Sequence, residues 1–244
     1  MTSATKDAPL FNLLPVNLKI DGRSVLVTGG GKQALKEVTR FIDYGARVEV
    51  IAGRFASELE ELRIAYSNKL TLTKREVEDS DLERIKAGHF FMVATAGRDL
   101  EENEKLLKAA LEAKVLCASN DFNADCDIVF GQSVKRGHLK LAVSTDGVSH
   151  ALERALIGRL EGMLVNDIDR YVLFLNALAD KLRRTAKDEA FSEEQKQEFI
   201  CKLAESEDIY RAVSRGNFDE ARRLTDQILA GVHQENGEET PARA

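Results

Sequence analysis

The sequence predicts an α/β protein: a parallel sheet wrapped by helices, a central region, and an all-helical module at the C-terminal end. Apolar runs of strand length alternate with helical stretches through the first 160 residues, the order that builds a sheet covered on both faces. Beyond Met163 only helical periodicity continues. The first apolar run also leads straight into three consecutive glycines, Gly29 to Gly31.

Val25, Leu26 and Val27 form the continuous apolar strand expected in a sheet buried on both sides. Gly29, Gly31 and Ala34 fit the G-x-G-x-x-G/A spacing of a Rossmann-type dinucleotide site. In that pattern the first glycine permits the tight turn, the second lets the backbone approach a pyrophosphate, and the small third residue keeps the next helix close to the strand. The helix from Gln33 to Tyr44 would aim its N-terminal amides at the phosphates. Gly45-Ala46 ends it, and Arg47 to Ala52 reads as the second strand.

The remaining strands are expected at 70–74, 90–94, 115–118 and 139–143, with helices at 55–67, 80–86, 99–113 and 149–162. Residues 119–131 carry little helical periodicity. In the tail, Ile168, Val172, Leu175, Leu178 and Leu182 recur at helical spacing, and similar patterns follow at 192–205 and 217–231. Met1 to Leu10 and the polar end from Gln234, with Pro241, read as disordered.

The cofactor's ribose partner is not obvious. A carboxylate belongs at the end of the second strand, about 20 residues after the glycines. Glu49 lies at that distance but inside the strand, where it reads as a solvated residue, and Ala52 holds the acidic slot. Arg54 follows and suits a 2′-phosphate, so NADP stays open beside NAD. After the fifth strand, Asp121, Asp125 and Asp127 place three carboxylates within seven residues. A carboxylate beside a nicotinamide can act as a general base, whereas Asn and Asp also favour plain turns.

Composition narrows the class. No apolar run approaches the roughly 20 residues of a membrane helix, and the first ten residues have no signal-peptide core, so a cytoplasmic protein is expected. The net charge of -6, with Lys and Arg scattered, argues against nucleic-acid binding. Cys117, Cys126 and Cys201 form neither an even framework nor a CxxC pair and read as small buried hydrophobes. No tyrosine has a lysine four residues later, as a short-chain alcohol reductase would require. No His, Cys or Glu spacing suggests a stably bound metal, and His138 and His150 read as surface histidines.

Several ordered pieces together resemble the siroheme synthase N-terminal family of precorrin-2 dehydrogenases, some of which are also sirohydrochlorin ferrochelatases. Leu13-Leu14-Pro15-Val16-Asn17-Leu18 precedes the first strand, and Val27 to Ala34 forms the glycine turn. Val93-Ala94-Thr95 ends the fourth strand, and Asn120-Asp121 is followed by Cys126 to Phe130. Arg136-Gly137-His138-Leu139 then leads into Leu141 to Ser149, similar to the family's Ser-Thr-x-Gly-x-Ser element.

The resemblance implies NAD-dependent oxidation of precorrin-2 to sirohydrochlorin, with Asp121 as the catalytic base. It assigns Lys32, Gln33, Gly53, Arg54 and Thr95 to the cofactor, beside Gly29, Gly30, Gly31 and Ala34. Ser144, Thr145 and Ser149 fall in the substrate-facing loop, with helix capping by Ser149 as the plainer role. Lys135, Arg136, Lys140 and Arg154 are candidate cations for a substrate rich in carboxylates, with a solvated surface charge as the plainer role of each. The family also implies a homodimer, so the organisation reads as a disordered 1–12, a Rossmann domain at 13–118, a dimerisation and substrate-loop region at 119–162, a helical module at 163–232 and a disordered 233–244. A bifunctional enzyme that also inserts Fe2+ or Co2+ as a substrate, and a non-catalytic tetrapyrrole- or nucleotide-binding homologue, are the alternatives. The sequence departs from the family at Ala96-Gly97, where Asp-Asp is usual, at Gly131 for Pro, at Asp146 for Gly and at His150 for Pro.

Overall fold

The computed structural model describes residues 13–119, 125–164, 167–185 and 192–237. Five strands, β1 (Ser24–Thr28), β2 (Arg47–Ile51), β3 (Leu70–Thr73), β4 (Met92–Thr95) and β5 (Leu116–Ser119), form one parallel sheet in the order β3-β2-β1-β4-β5. The helices α1 (Lys32–Asp43), α2 (Ser57–Ala65), α3 (Asp79–Lys86) and α4 (Leu100–Glu112) link them. The order reverses between β1 and β4, the crevice where open α/β sheets bind ligands.

Alternation along β1 divides the core. Val25 and Val27 pack with Val38 and Phe41 of α1, while Leu26 faces Val93, Leu106 and Cys117 on the other side. All the β1 apolar side chains are sealed from solvent, which is why the run reads as continuously hydrophobic instead of alternating.

After β5 the chain returns along the sheet edge. Ile128 donates its amide to Cys117 O at 3.0 Å and bridges Ala118 in parallel, and the Asp127 carboxylate accepts from the Cys117 amide at 3.0 Å. Phe130 then packs edge-on against Phe41 at 5.8 Å, beneath the Arg40 guanidinium at 4.2 Å. Arg40 in turn lies 3.1 Å from buried Glu37, whose carboxyl burial pushes above its ordinary range.

The expected strand at 139–143 forms, but outside this sheet. β6 (Gln132–Arg136) and β7 (Leu139–Val143) make a two-stranded antiparallel hairpin, turned at Gly137 with φ +56°. β6 escapes a reading by apolar runs because Gln-Ser-Val-Lys-Arg is largely polar and exposed.

Contacts divide the chain into two units, 1–131 with 144–150, and 132–143 with 151–244. The second carries α5 (His150–Met163) from its second residue on, α6 (Ile168–Thr185), α7 (Glu193–Glu205), α8 (Glu207–Ser214) and α9 (Phe218–Gly237). Its core gathers Tyr171, Phe199, Leu203, Ile209, Val213 and Ala221, and the Tyr171 hydroxyl donates to Leu203 O at 2.6 Å. α8 is an addition to the expected tail, and α9 runs past Gln234, so the helix continues into residues expected to fray. Cys201 is exposed and Cys126 half-buried, which corrects the expectation of three buried cysteines; only Cys117 is sealed in the core.

Candidate functional site

The carboxyl end of the sheet presents a row of paired residues, Thr73, Ile51, Thr28, Thr95 and Ser119, one from each strand. Thr95 and Ser119 join their hydroxyls at 3.1 Å. The Thr28 hydroxyl is fully buried and has no hydrogen-bond partner among the described residues. Buried polar atoms are nearly always hydrogen-bonded, so an unpartnered hydroxyl beside the glycine turn is consistent with a group that binds there.

The three glycines above this row differ in what confines them. Gly29 sits at φ +99°, and a Cβ there would stand 2.6 Å from Ala96 O, so the turn lies against the backbone after β4. A Cβ on Gly30 would overlap the Arg54 carbonyl oxygen, because the Ala56 amide ties the loop after β2 to Gly30 O at 2.8 Å. A Cβ on Gly31 would meet nothing. Gly31, Lys32 and Gln33 are exposed, whereas Ala34 is buried with no accessible surface, so α1 presses on the sheet with its first turn open.

Gly31 is the residue before α1, and the first helical amide to reach back, Leu35, donates to Gly31 O at 3.0 Å. The amides ahead of it have no partner within the helix, and the first turn contains no acidic side chain. An anion suits that position. Open space at Gly31 and the orphaned Thr28 hydroxyl together fit a dinucleotide.

The ribose side corrects the sequence reading of Glu49. It is no solvated strand residue: Arg84 of α3 grips it with both nitrogens, at 2.6 and 3.0 Å. Arg84 also reaches Asp81 at 3.3 Å and lies over Phe90, while Arg75 holds the same Asp81 at 2.6 and 2.9 Å. Asp81 is fully buried, and its carboxyl is held below the usual range, chiefly by Arg75. Ala52 is buried and offers no polar group. Arg54 is exposed, and Gly53 lies against the carboxylate of Glu76, which follows β3.

Across the crevice, Gly97 accepts at its carbonyl from Asn103 at 3.1 Å. Glu102 stands nearby, 3.9 Å from the place of a Gly97 Cβ. Burial, followed by repulsion from Glu76 and Asp99, raises its carboxyl above the ordinary range.

Asp121, with Asn120 and 122–124, lies outside the described residues. Its flanks stand at the end of β5: Ser119 on Thr95, and Asp125, whose carbonyl meets Cys117 Sγ at 3.8 Å. Asp127 spends its carboxylate on the Cys117 amide, a structural use of one of the three acids. Cys126 and Cys117 share a thiol hydrogen bond that, with burial, pushes the Cys117 thiol far up.

In the 144–149 loop, Ser149 donates its amide to Thr145 Oγ1 at 2.8 Å, and Asp146 donates to Ser144 Oγ at 3.2 Å. Asp146 adopts φ +51°, a conformation that favours the glycine it replaces. Ser149 directly precedes α5. In the other unit, Lys135 and Lys140 face each other across the hairpin, Arg136 pairs with Glu161 at 2.5 Å, and Arg154 is exposed. His138 is exposed, as expected, and Asp169 accepts from its amide at 2.6 Å and lies 2.9 Å from its Nδ1.

Sequence reasoning placed Gly30 in the cofactor turn but not its confinement, the tightest among the described glycines, and it passed over Glu76, which lies against Gly53. The first had a signal, three glycines where the pattern needs two. The second had none, since its contact with Gly53 depends on adjacency across the sheet.

Comparison with known proteins agrees with this geometry. Residues 16–132 match a family described as "Putative NAD(P)-binding". The chain is 27% identical over 214 residues to a precorrin-2 dehydrogenase of Methanosarcina barkeri, covering 87% of this chain and 92% of that protein. It is 30% identical over 230 residues to a siroheme synthase of Pseudomonas paraeruginosa and 26% identical over 228 residues to siroheme synthase 3 of Aeromonas hydrophila, in each case covering 93% of this chain. The chain spans about half the length of those two, 47% and 46%. A solved structure titled SirC, precorrin-2 dehydrogenase, superimposes with a TM-score of 0.67 at 24% identity, over 89% of this chain and all of that one, and shares the fold.

Proposed function

We propose, on the premise that this chain belongs to the siroheme synthase N-terminal family, that it is an NAD-dependent precorrin-2 dehydrogenase that forms sirohydrochlorin. The observation that carries the reading is the near full-length match to a dehydrogenase of the same size, joined to a glycine turn whose open position is Gly31.

When bound, the nicotinamide supplies the hydride acceptor. The chain does the rest. The amides of Gly31 to Ala34 hold the pyrophosphate, and Lys32 adds a positive charge at the open first turn. Thr28 and Thr95 floor the crevice with hydroxyls. Oxidation of precorrin-2 removes a hydride and a proton, and Asp121 takes the proton. Ser144, Thr145 and Ser149 donate to substrate carboxylates. Gly53 and Arg54 border the adenosine side. Exposed Leu152 and Met163 on α5 supply apolar surface for the homodimer that the family implies.

Absorbance of NADH on addition of precorrin-2 tests the reading. The wild type should turn over, and Asp121→Ala should lose at least about a hundredfold in kcat while keeping its NAD affinity. Equal turnover in the variant, or no NADH from the wild type, overturns it. A second arm with ferrous or cobaltous ion separates the bifunctional enzyme, which would metallate sirohydrochlorin above the uncatalysed rate.

A further inference from the structure

We propose that Glu76, on the segment after β3, is the carboxylate that receives the adenosine ribose hydroxyls and makes the cofactor site select NAD over NADP. The inference rests on the dinucleotide reading of the glycine turn and extends it to a residue that no spacing rule indicates.

Three observations converge on Glu76. The usual position at the end of β2 is empty of chemistry: Ala52 is buried and apolar, and the next residue is Gly53. The nearest acid on β2 is spent, because Arg84 holds both oxygens of Glu49. The Glu76 carboxylate, by contrast, overlaps the place that a Gly53 side chain would fill. A carboxylate from the segment after β3 thus lies beside the end of β2, one residue past the slot that Ala52 leaves without a polar group.

The backbone that carries this carboxylate is also held in place. Arg75 Nη1 donates to the Glu76 carbonyl at 3.0 Å while its guanidinium is clamped on buried Asp81, so the backbone of this segment is fixed from beneath. The side chain is left exposed at the crevice. Ribose hydroxyls are donors and a carboxylate accepts two of them. A 2′-phosphate removes one donor and sets negative charge beside Glu76, with Glu102 close enough to be repelled by it already. Glycine at 53 is required by the same arrangement, since any side chain there would displace the carboxylate.

The test is equilibrium binding of NAD and of NADP, measured separately by calorimetry on the full chain. The wild type should bind NAD more tightly. Glu76→Gln should weaken NAD about tenfold, the loss expected for charge-assisted hydrogen bonds, and should strengthen NADP, collapsing the ratio. Glu49→Gln should leave the ratio unchanged, because that carboxylate faces Arg84. An unchanged melting temperature for the exposed Glu76→Gln variant shows that folding is intact. A wild-type preference for NADP, or a Glu76→Gln variant in which both affinities stay constant or move by the same factor, overturns the inference and leaves the dinucleotide site standing. Failure of the wild type to bind either nucleotide removes the site and the inference together.

Discussion

Three adjacent glycines should respond to the same substitution in three different ways, and the contrast separates binding from folding. Gly31→Ala places a methyl in open space at φ -95°, a conformation that alanine adopts freely. Reduced freedom of the unfolded chain contributes about 0.4–1 kcal/mol of stability, and the poorer capping of alanine at the residue before a helix costs a similar amount. The net change stays within about 1 kcal/mol, or about 2–4 °C in melting temperature for a chain of this size. The same methyl stands where the backbone must approach the pyrophosphate, so NAD affinity should fall more than about tenfold. Gly29→Ala forces a side chain to φ +99° with its Cβ 2.6 Å from Ala96 O. Left-handed strain of about 1–2 kcal/mol adds to displacement of a backbone segment, for a loss of about 3 kcal/mol. Gly30→Ala overlaps the Arg54 carbonyl and should cost more still. Thermal melting and calorimetric NAD titration of the three variants check the order. Gly31→Ala binding NAD like the wild type, or melting as low as Gly30→Ala, would refute this order.

Two further predictions come from carboxylates of α3 and α4 whose surroundings shift them in opposite directions. Asp81→Asn removes the buried anion shared by Arg75 and Arg84; with those arginines partly exposed, the loss should be about 2 kcal/mol at neutral pH. Because the folded carboxyl is held below its ordinary range, its stabilisation is present above about pH 4 and is lost as pH falls through the folded value. The gap between wild type and variant in urea midpoints should therefore close in acid, and a gap unchanged at pH 3 would sink the argument. Glu102 has the opposite sign. Burial and the neighbouring acids raise its carboxyl, so the folded state holds the proton more firmly and stability declines as pH rises from about 4.3 through the folded value. Glu102→Gln should melt higher than wild type at pH 7, with the advantage shrinking towards pH 4; a variant of lower stability at both would contradict it.

What the sequence revealed, and what it hid, follows from the range of the interactions. β1 was legible because both its faces are buried, which leaves Val25, Leu26 and Val27 no polar alternation to break the run. β6 was hidden because an exposed hairpin strand needs no apolar run, and its half-buried Val134 is a single signal. α8 was hidden because Ser206 both ends α7 and caps the next helix, with no glycine or proline between them. The phosphate side of the candidate site is likewise local: spacing within one turn and one helix places Gly29, Gly31 and Ala34.

The ribose side is not local. Glu49 and Arg84 are 35 residues apart and meet only because α3 packs on β2, so the acid nearest the expected distance was misread as solvated. Glu76 reaches Gly53 only because β3 lies next to β2 in the sheet. A parallel sheet brings the ends of neighbouring strands into one row, so a carboxylate lost from one strand can be replaced from the next without altering the turn that binds phosphate. Spacing rules assume that both halves of the dinucleotide are held by consecutive elements, whereas the sheet requires only that the groups share an edge. Selectivity between the two nicotinamide cofactors can therefore shift from β2 to β3 while the glycine motif stays the same, and Glu76 is where that separation becomes measurable.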